Sequence, residues 1–202
     1  MELCLVPADT EQQLEQIKTL YMEAFPEDER KPFPLIMEKR KEGSMEILSL
    51  ENKITDGINS GITASPALHH VLGEAILVYD KDIVLLDYFA ISPALRGSGL
   101  GSRALELLQQ RCGGRRFLLE IENTSGQVPG WEQRMSRKNF YLRGGMKCMD
   151  YTVSLFGVSM EIMTYGCEVT YEEYFALYEH VFGSYMKGRV KLEEYNGTAF
   201  PF

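Results

Sequence analysis

Between residues 96 and 101 the sequence reads Arg96-Gly97-Ser98-Gly99-Leu100-Gly101, after an apolar run ending at Ile91 and before Leu100, Ala104, Leu107 and Leu108 at helical spacing. A strand, a glycine turn and a helix start in that order form an anion site. Successive backbone N–H groups converge there, and the first helical turn carries partial positive charge. Glycine lets a phosphate approach the main chain where a Cβ would obstruct it, and Arg96 adds a charged donor at the edge. Further along, Glu120 and Glu122 share one face of a strand, so their mutual repulsion raises one pKa and suits it to proton transfer. Asp87 on the neighbouring apolar run is a second candidate carboxylate, and Glu29 belongs to an acidic connection, Glu27-Asp28-Glu29-Arg30, suited to a cation. Arg134, Arg137 and Lys138 lie seven, four and three residues before Tyr141, so a phenol sits on a cationic helical face. Each carboxylate has a plainer reading as solvation of an exposed strand or turn, and Tyr141 has one as an interfacial core tyrosine.

Two other phosphate patterns compete for the glycine turn. A P-loop needs Lys followed by Ser or Thr after the last glycine, and Ser102-Arg103 does not supply them. In a dinucleotide fingerprint counted from Gly97 the third glycine falls at position 102, which is Ser, although Glu120 lies near the place of a ribose-binding acid. That reading stays open as a lesser alternative.

The surrounding elements alternate in type. Residues 2–6 read as a strand. Thr10 and Gln13 form a capping box for a helix carrying Leu14, Ile17, Tyr21 and Phe25, which must stop at Pro26. A helix near 34–41 and a strand at 45–50 follow, then a polar loop over 51–70, part of which reads alternatively as a weak strand and turn. Two strands, 71–79 and 82–91, form a hairpin, and the second is apolar on both faces and therefore central. A helix after the glycine turn ends at Gly113-Gly114, a strand covers 116–122, and a helix covers about 131–143. A hairpin then turns near Phe156-Gly157. Thr170 and Glu173 cap a last helix whose stripe of Tyr171, Tyr174, Phe175, Tyr178 and Phe182 reads as core or dimer packing.

The chain has 202 residues, 45% of them hydrophobic, enough for one sizeable core. No apolar run reaches the roughly 20 residues of a membrane span and the N-terminus has no signal-peptide pattern, so the expectation is a soluble, cytoplasmic chain. Cys4, Cys112, Cys148 and Cys167 are scattered and His69-His70 stand without further ligands at metal spacing, so no disulfide framework and no metal are expected. A net charge of −8 argues against nucleic acid. Residues 96–147 hold ten Lys and Arg against four acids, a surplus of six, which leaves −14 elsewhere. This local cationic region suggests a small polyanion there and a cationic partner elsewhere.

The run Arg96-Gly97-Ser98-Gly99-Leu100-Gly101, preceded by YFAISPAL, together with Phe140-Tyr141 and Gly145-Met146, resembles the two motifs of the GNAT superfamily of acyl-CoA-dependent N-acyltransferases. The resemblance extends over residues 2 to about 164. It implies an α/β (α+β) fold with a mixed, mostly antiparallel central sheet flanked by helices. One acyltransferase domain would cover residues 1–165, with a C-terminal helical extension at 166–202 on the same domain or at a homodimer interface.

The family pattern further implies acetyl-CoA or another acyl-CoA as co-substrate and a small-molecule or peptide amine as acceptor. Main-chain groups of Phe89, Ala90 and Ile91 would meet the pantetheine arm. Amides from Arg96 to Ser102, including those of Gly97, Ser98, Gly99, Leu100 and Gly101, would hold the pyrophosphate. Tyr141 would protonate the leaving thiolate; the reading of the residues themselves adds Glu122 or Glu120 as base and Glu29 and Asp87 as substrate contacts. One departure stands out: Arg134 occupies the position of a frequent family Asn, and the loop NTSGQVPG precedes the helix. A different class, an acyl-CoA-binding regulatory module without turnover, has the same glycine turn.

Overall fold

The computed structural model describes residues 3–52, 71–126 and 130–195. The polar loop expected at 51–70, with His69 and His70, lies almost wholly outside the described residues. Eight strands run β1 Leu3–Pro7, β2 Met45–Asn52, β3 Gly73–Asp80, β4 Ile83–Ile91, β5 Arg116–Glu122, β6 Met146–Leu155, β7 Val158–Tyr165 and β8 Val190–Tyr195. The α-helices are α1 Glu11–Ala24, α2 Phe33–Glu42, α3 Leu100–Cys112, α4 Trp131–Arg143 and α5 Tyr171–Phe182.

The strands form one sheet in the order β1-β2-β3-β4-β5-β7-β6-β8. Every neighbouring pair is antiparallel except β4 and β5, which are parallel and joined through α3. β4 is therefore central, as its two apolar faces require.

Local chemistry fixes the helix ends. Thr10 with Gln13 and Thr170 with Glu173 form the two capping boxes, satisfying amides that a helix start leaves unpaired. The β6–β7 turn places Phe156 and Gly157 at φ 53° and 87°, the left-handed geometry of a two-residue hairpin.

One core lies between the sheet and α1, α2 and α5, and includes Ile17, Tyr21, Ile36, Ile76, Tyr174 and Tyr178. A second lies under α3 and α4 and includes Leu105, Leu108, Leu119 and Tyr141, and a smaller third holds Leu3, Leu50, Leu72 and Ala104. The C-terminal segment differs from the expected helical extension. After α5 a short 3-10 turn leads into β8, which pairs with β6 and extends the same sheet. Alternation in Val190-Lys191-Leu192 is too brief to read as a strand until β6 offers an unpaired edge. Among the described residues no helix is long and apolar enough to cross a membrane.

Candidate active site

β4 and β5 pair in register from Ile83 with Arg116 to Leu86 with Leu119, and there the pairing stops. Beyond that point β4 continues against β3 and β5 continues against β7, so the two strands part in the middle of the sheet. A bulge marks the divergence: Ile76 faces Tyr88 and Leu77 faces Leu86, which leaves Asp87 as the extra residue. Bulges turn a side chain out of strict alternation, and Asp87 reaches the α1, α2 and α5 side of the sheet. The described residues around the wedge enclose a cavity of ≈ 610 Å³.

At one end stands the glycine turn. Gly97 and Gly99 have φ 77° and 84°, where any Cβ is strained, and a Cβ at either would point into open space. Gly99 caps α3 with no side-chain partner for its first amides, which leaves them available to an anion. Arg96 makes only a long contact, 3.4 Å from Nε to the Ile91 carbonyl, and pairs with no carboxylate among the described residues. Gly101 plays another part: a Cβ there would sit 3.5 Å from the Phe140 ring, an ordinary packing contact. Arg96, Gly97, Gly99, Gly101 and Ser102 line the cavity, as do Phe89, Ala90 and Ile91 of β4. Ser98 turns its hydroxyl back to the Leu95 carbonyl at 2.6 Å, and neither its side chain nor that of Leu100 contributes to the wall. These features fit a phosphate-bearing ligand.

Tyr141 lines the same cavity from α4. Its ring packs edge-on against Phe140, and its hydroxyl has no hydrogen-bond partner among the described residues. Burial pushes the phenol up to about 12, against a smaller opposite pull from Arg137, so it carries its proton at neutral pH.

Glu120 and Glu122 also line the cavity but have different surroundings. Glu120 Oε1 accepts hydrogen bonds from the hydroxyls of Tyr174 and Tyr178 at 2.5 and 2.7 Å. Burial raises its pKa, which Lys31 and the two phenols partly oppose. Glu122 is gripped by Arg134 at 2.9 Å and Arg137 at 2.8 Å, one on each oxygen. Asp87 and Glu29 line the cavity as well. Asp87 Oδ1 accepts from Lys31 Nζ at 2.7 Å, with both side chains 2% exposed, and its Oδ2 is buried without a partner.

No protein-family model matches the chain, and no curated protein sequence matches it. Solved structures do. A GNAT-family protein from Bacteroides thetaiotaomicron aligns with a TM-score of 0.65 at 22% identity, over 91% of this chain and 99% of that one. The chain has the GNAT fold. An aminoglycoside 6'-N-acetyltransferase complexed with coenzyme A aligns at 0.59 and 12% identity, over 81% and 96% of the two chains. A Bacillus subtilis acetyltransferase in complex with CoA aligns at 0.55 and 12% identity, over 83% and 100%.

Within this GNAT fold the cationic face of α4 is spent on protein partners. Arg134 and Arg137 meet Glu122, and Lys138 meets Glu161 at 2.5 Å. The basic surplus of residues 96–147 is likewise offset from outside that segment, by Glu46 on Arg111 and by Asp82 and Glu173 on Arg116. Summed charge along the chain therefore overstated the local field.

Lys31 is the site residue that sequence reading missed. Its Nζ lies 5.1–5.9 Å from the ring centroids of Phe182, Tyr88, Tyr178 and Phe156. Its backbone is clamped between hydroxyls: the Lys31 amide donates to Tyr88 at 2.8 Å and the Tyr21 hydroxyl donates to the Lys31 carbonyl at 2.8 Å. In sequence it is one charge in a polar turn, and no local signal separates it from its neighbours. Tyr174 and Tyr178 did carry a signal, since a core stripe built of tyrosines brings hydroxyls that demand partners.

Proposed function

We propose that this protein is an acyl-CoA-dependent N-acyltransferase that moves an acetyl group from acetyl-CoA to a primary amine. One observation carries the reading: the glycine turn, the protonated Tyr141 phenol and the carboxylates of β4 and β5 all border one cavity, at the place where the two central strands part. The structural neighbours that hold coenzyme A support the choice of co-substrate.

Acetyl-CoA would supply an acyl group already activated as a thioester. The amides from Gly97 to Ser102 and the Arg96 guanidinium hold its phosphates. The β4 edge from Phe89 to Ile91, which lacks a β5 partner, offers its main chain to the pantetheine arm. Tyr141 delivers a proton to the departing sulfur, a role suited to a phenol that stays protonated at neutral pH. Of the two glutamates, Glu120 is assigned as base. Its raised pKa brings it closer to working pH, whereas both Glu122 oxygens are held by arginines. Glu122 then positions Arg137 at the wall.

The direct test is a thermal-shift titration followed by an amine screen. Acetyl-CoA at 100 times its dissociation constant should stabilise the fold by about 2.7 kcal/mol. Release of free thiol should then depend on an added amine. Absence of any shift with acetyl-CoA or longer acyl-CoAs would end the acyltransferase reading, and a shift with NAD instead would transfer support to a dinucleotide site. Binding without thiol release for any amine would leave a regulatory module.

A further inference from the structure

Asp87 is a carboxylate only half satisfied. Oδ1 is held by Lys31, while Oδ2 is buried with no donor, and the residue sits on the bulge immediately beyond the last β4–β5 pair. An unpaired buried oxygen is destabilising, so such atoms in folded proteins commonly mark where a ligand or water belongs. Asp87 is among the residues that line the cavity, with its side chain 2% exposed. Lys31 pairs with Asp87 and is itself fixed by four rings and two tyrosine hydroxyls. It cannot swing away to release the carboxylate or to follow a ligand.

The walls around this pair are apolar. Phe25 and Tyr88 pack edge to face at 5.0 Å, and Phe156, Val158 and Met160 of the β6–β7 hairpin line the same cavity. Of the other carboxylates lining the cavity, Glu122 is held by two arginines and Glu120 accepts from two phenols on Oε1.

Resting on the acyltransferase reading, we infer that Asp87 Oδ2 accepts a hydrogen bond from the acceptor's amine while Glu120 takes up the proton the amine must lose to attack the thioester, that Lys31 is the positioning residue that holds Asp87 for this purpose, and that the acceptor is a monoamine whose nitrogen lies one or two carbons from an aromatic or branched apolar group. A polycation such as a polyamine or an aminoglycoside would have to place further charges against the apolar walls of Phe25, Tyr88, Phe156, Val158 and Met160, which disfavour them. A small arylalkylamine and a peptide beginning with Phe share the required chemistry.

The experiment uses the full chain loaded with coenzyme A for calorimetric binding, and with acetyl-CoA for turnover. The probes are 2-phenylethylamine, a tetrapeptide with N-terminal Phe, spermidine and kanamycin. The expected result is binding and acetylation of phenylethylamine or the peptide with kcat/KM at least about tenfold above both polycations, the better of the two naming the source. Asp87→Asn keeps the shape and removes the charge. It should raise KM for the preferred amine at least about tenfold, lower kcat less, and leave acetyl-CoA affinity within about twofold. Lys31→Met should raise the same KM, and Asp87→Asn remains decisive if Lys31→Met does not fold. Equal or better use of spermidine or kanamycin, no binding by either apolar amine, or an unchanged amine KM in Asp87→Asn would each overturn the inference. The acyltransferase reading fails on a different measurement, the absence of an acetyl-CoA thermal shift.

Discussion

The two ends of the cavity are built in opposite ways. The glycine end comes from one continuous stretch, in which β4, the turn at 96–101 and the start of α3 follow one another, and its donors are backbone amides. The carboxylate end is assembled from five places in the chain: Lys31 before α2, Asp87 on β4, Glu120 on β5, Phe156 in the β6–β7 turn, and Tyr174 with Tyr178 on α5. Lys31 and Asp87 are 56 residues apart, and Tyr178 and Glu120 are 58 apart. A backbone site tolerates changes of side chain so long as φ and space are kept. A site of interlocked side chains loses its geometry when any one partner is removed. The difference also suits one end to a constant ligand and the other to one that varies, since loops and distant elements change independently of the fold.

The sharpest test of that contrast falls on Tyr141, which lines the cavity from α4. Tyr141→Phe removes one hydroxyl and keeps the ring against Phe140. If the phenol protonates the leaving sulfur, kcat should fall by roughly 10² to 10⁴ while acetyl-CoA affinity and melting temperature hardly move. Turnover within about a factor of three of the parent, with chemistry limiting the rate, removes it from the mechanism.

A smaller effect should come from the glycine end. Gly99→Val forces a branched residue to φ 84° and projects it into the space above the turn. Coenzyme A binding should weaken at least about tenfold, or 1.4 kcal/mol, while the amine KM stays put. Equal affinity in a folded variant would mean that the phosphates lie elsewhere.

The smallest effect probes the carboxylate end through α5. Tyr174→Phe removes one of the two donors to Glu120 Oε1, at a cost of about 1 kcal/mol in stability. Because that hydrogen bond lowers the Glu120 pKa, its loss must raise it further. With Glu120 as base, the acid limb of the kcat/KM profile should move to higher pH. A carboxylate whose folded pKa lies above its unfolded value favours folding less as pH rises through that interval, so the variant should also lose stability over a wider range above the ordinary carboxylate value. An unmoved acid limb would assign the base elsewhere.

The sequence by itself determined most of the elements and one end of the site. Period-2 apolar runs and the two capping boxes fixed the strands and helix starts, because those signals act within a few residues. The glycine turn was legible for the same reason: its chemistry belongs to consecutive amides, and the φ values of Gly97 and Gly99 are ones that glycine alone adopts readily. Tyr141, Glu120 and Glu122 were visible as residue types but not as states. Only the tertiary structure separated the two glutamates, giving Glu120 phenols and Glu122 guanidiniums from elements far along the chain. The bulge at Asp87 depends on the register of β3 against β4, which side-chain alternation in one strand cannot report. β8 exists because β6 presents an edge to it. Lys31 marks the limit most clearly: a lysine after a charged turn is solvated by default, and its burial follows from Tyr21, Tyr88 and Asp87 closing around it, contacts with a free energy that exists only once the sheet and both helices have come together.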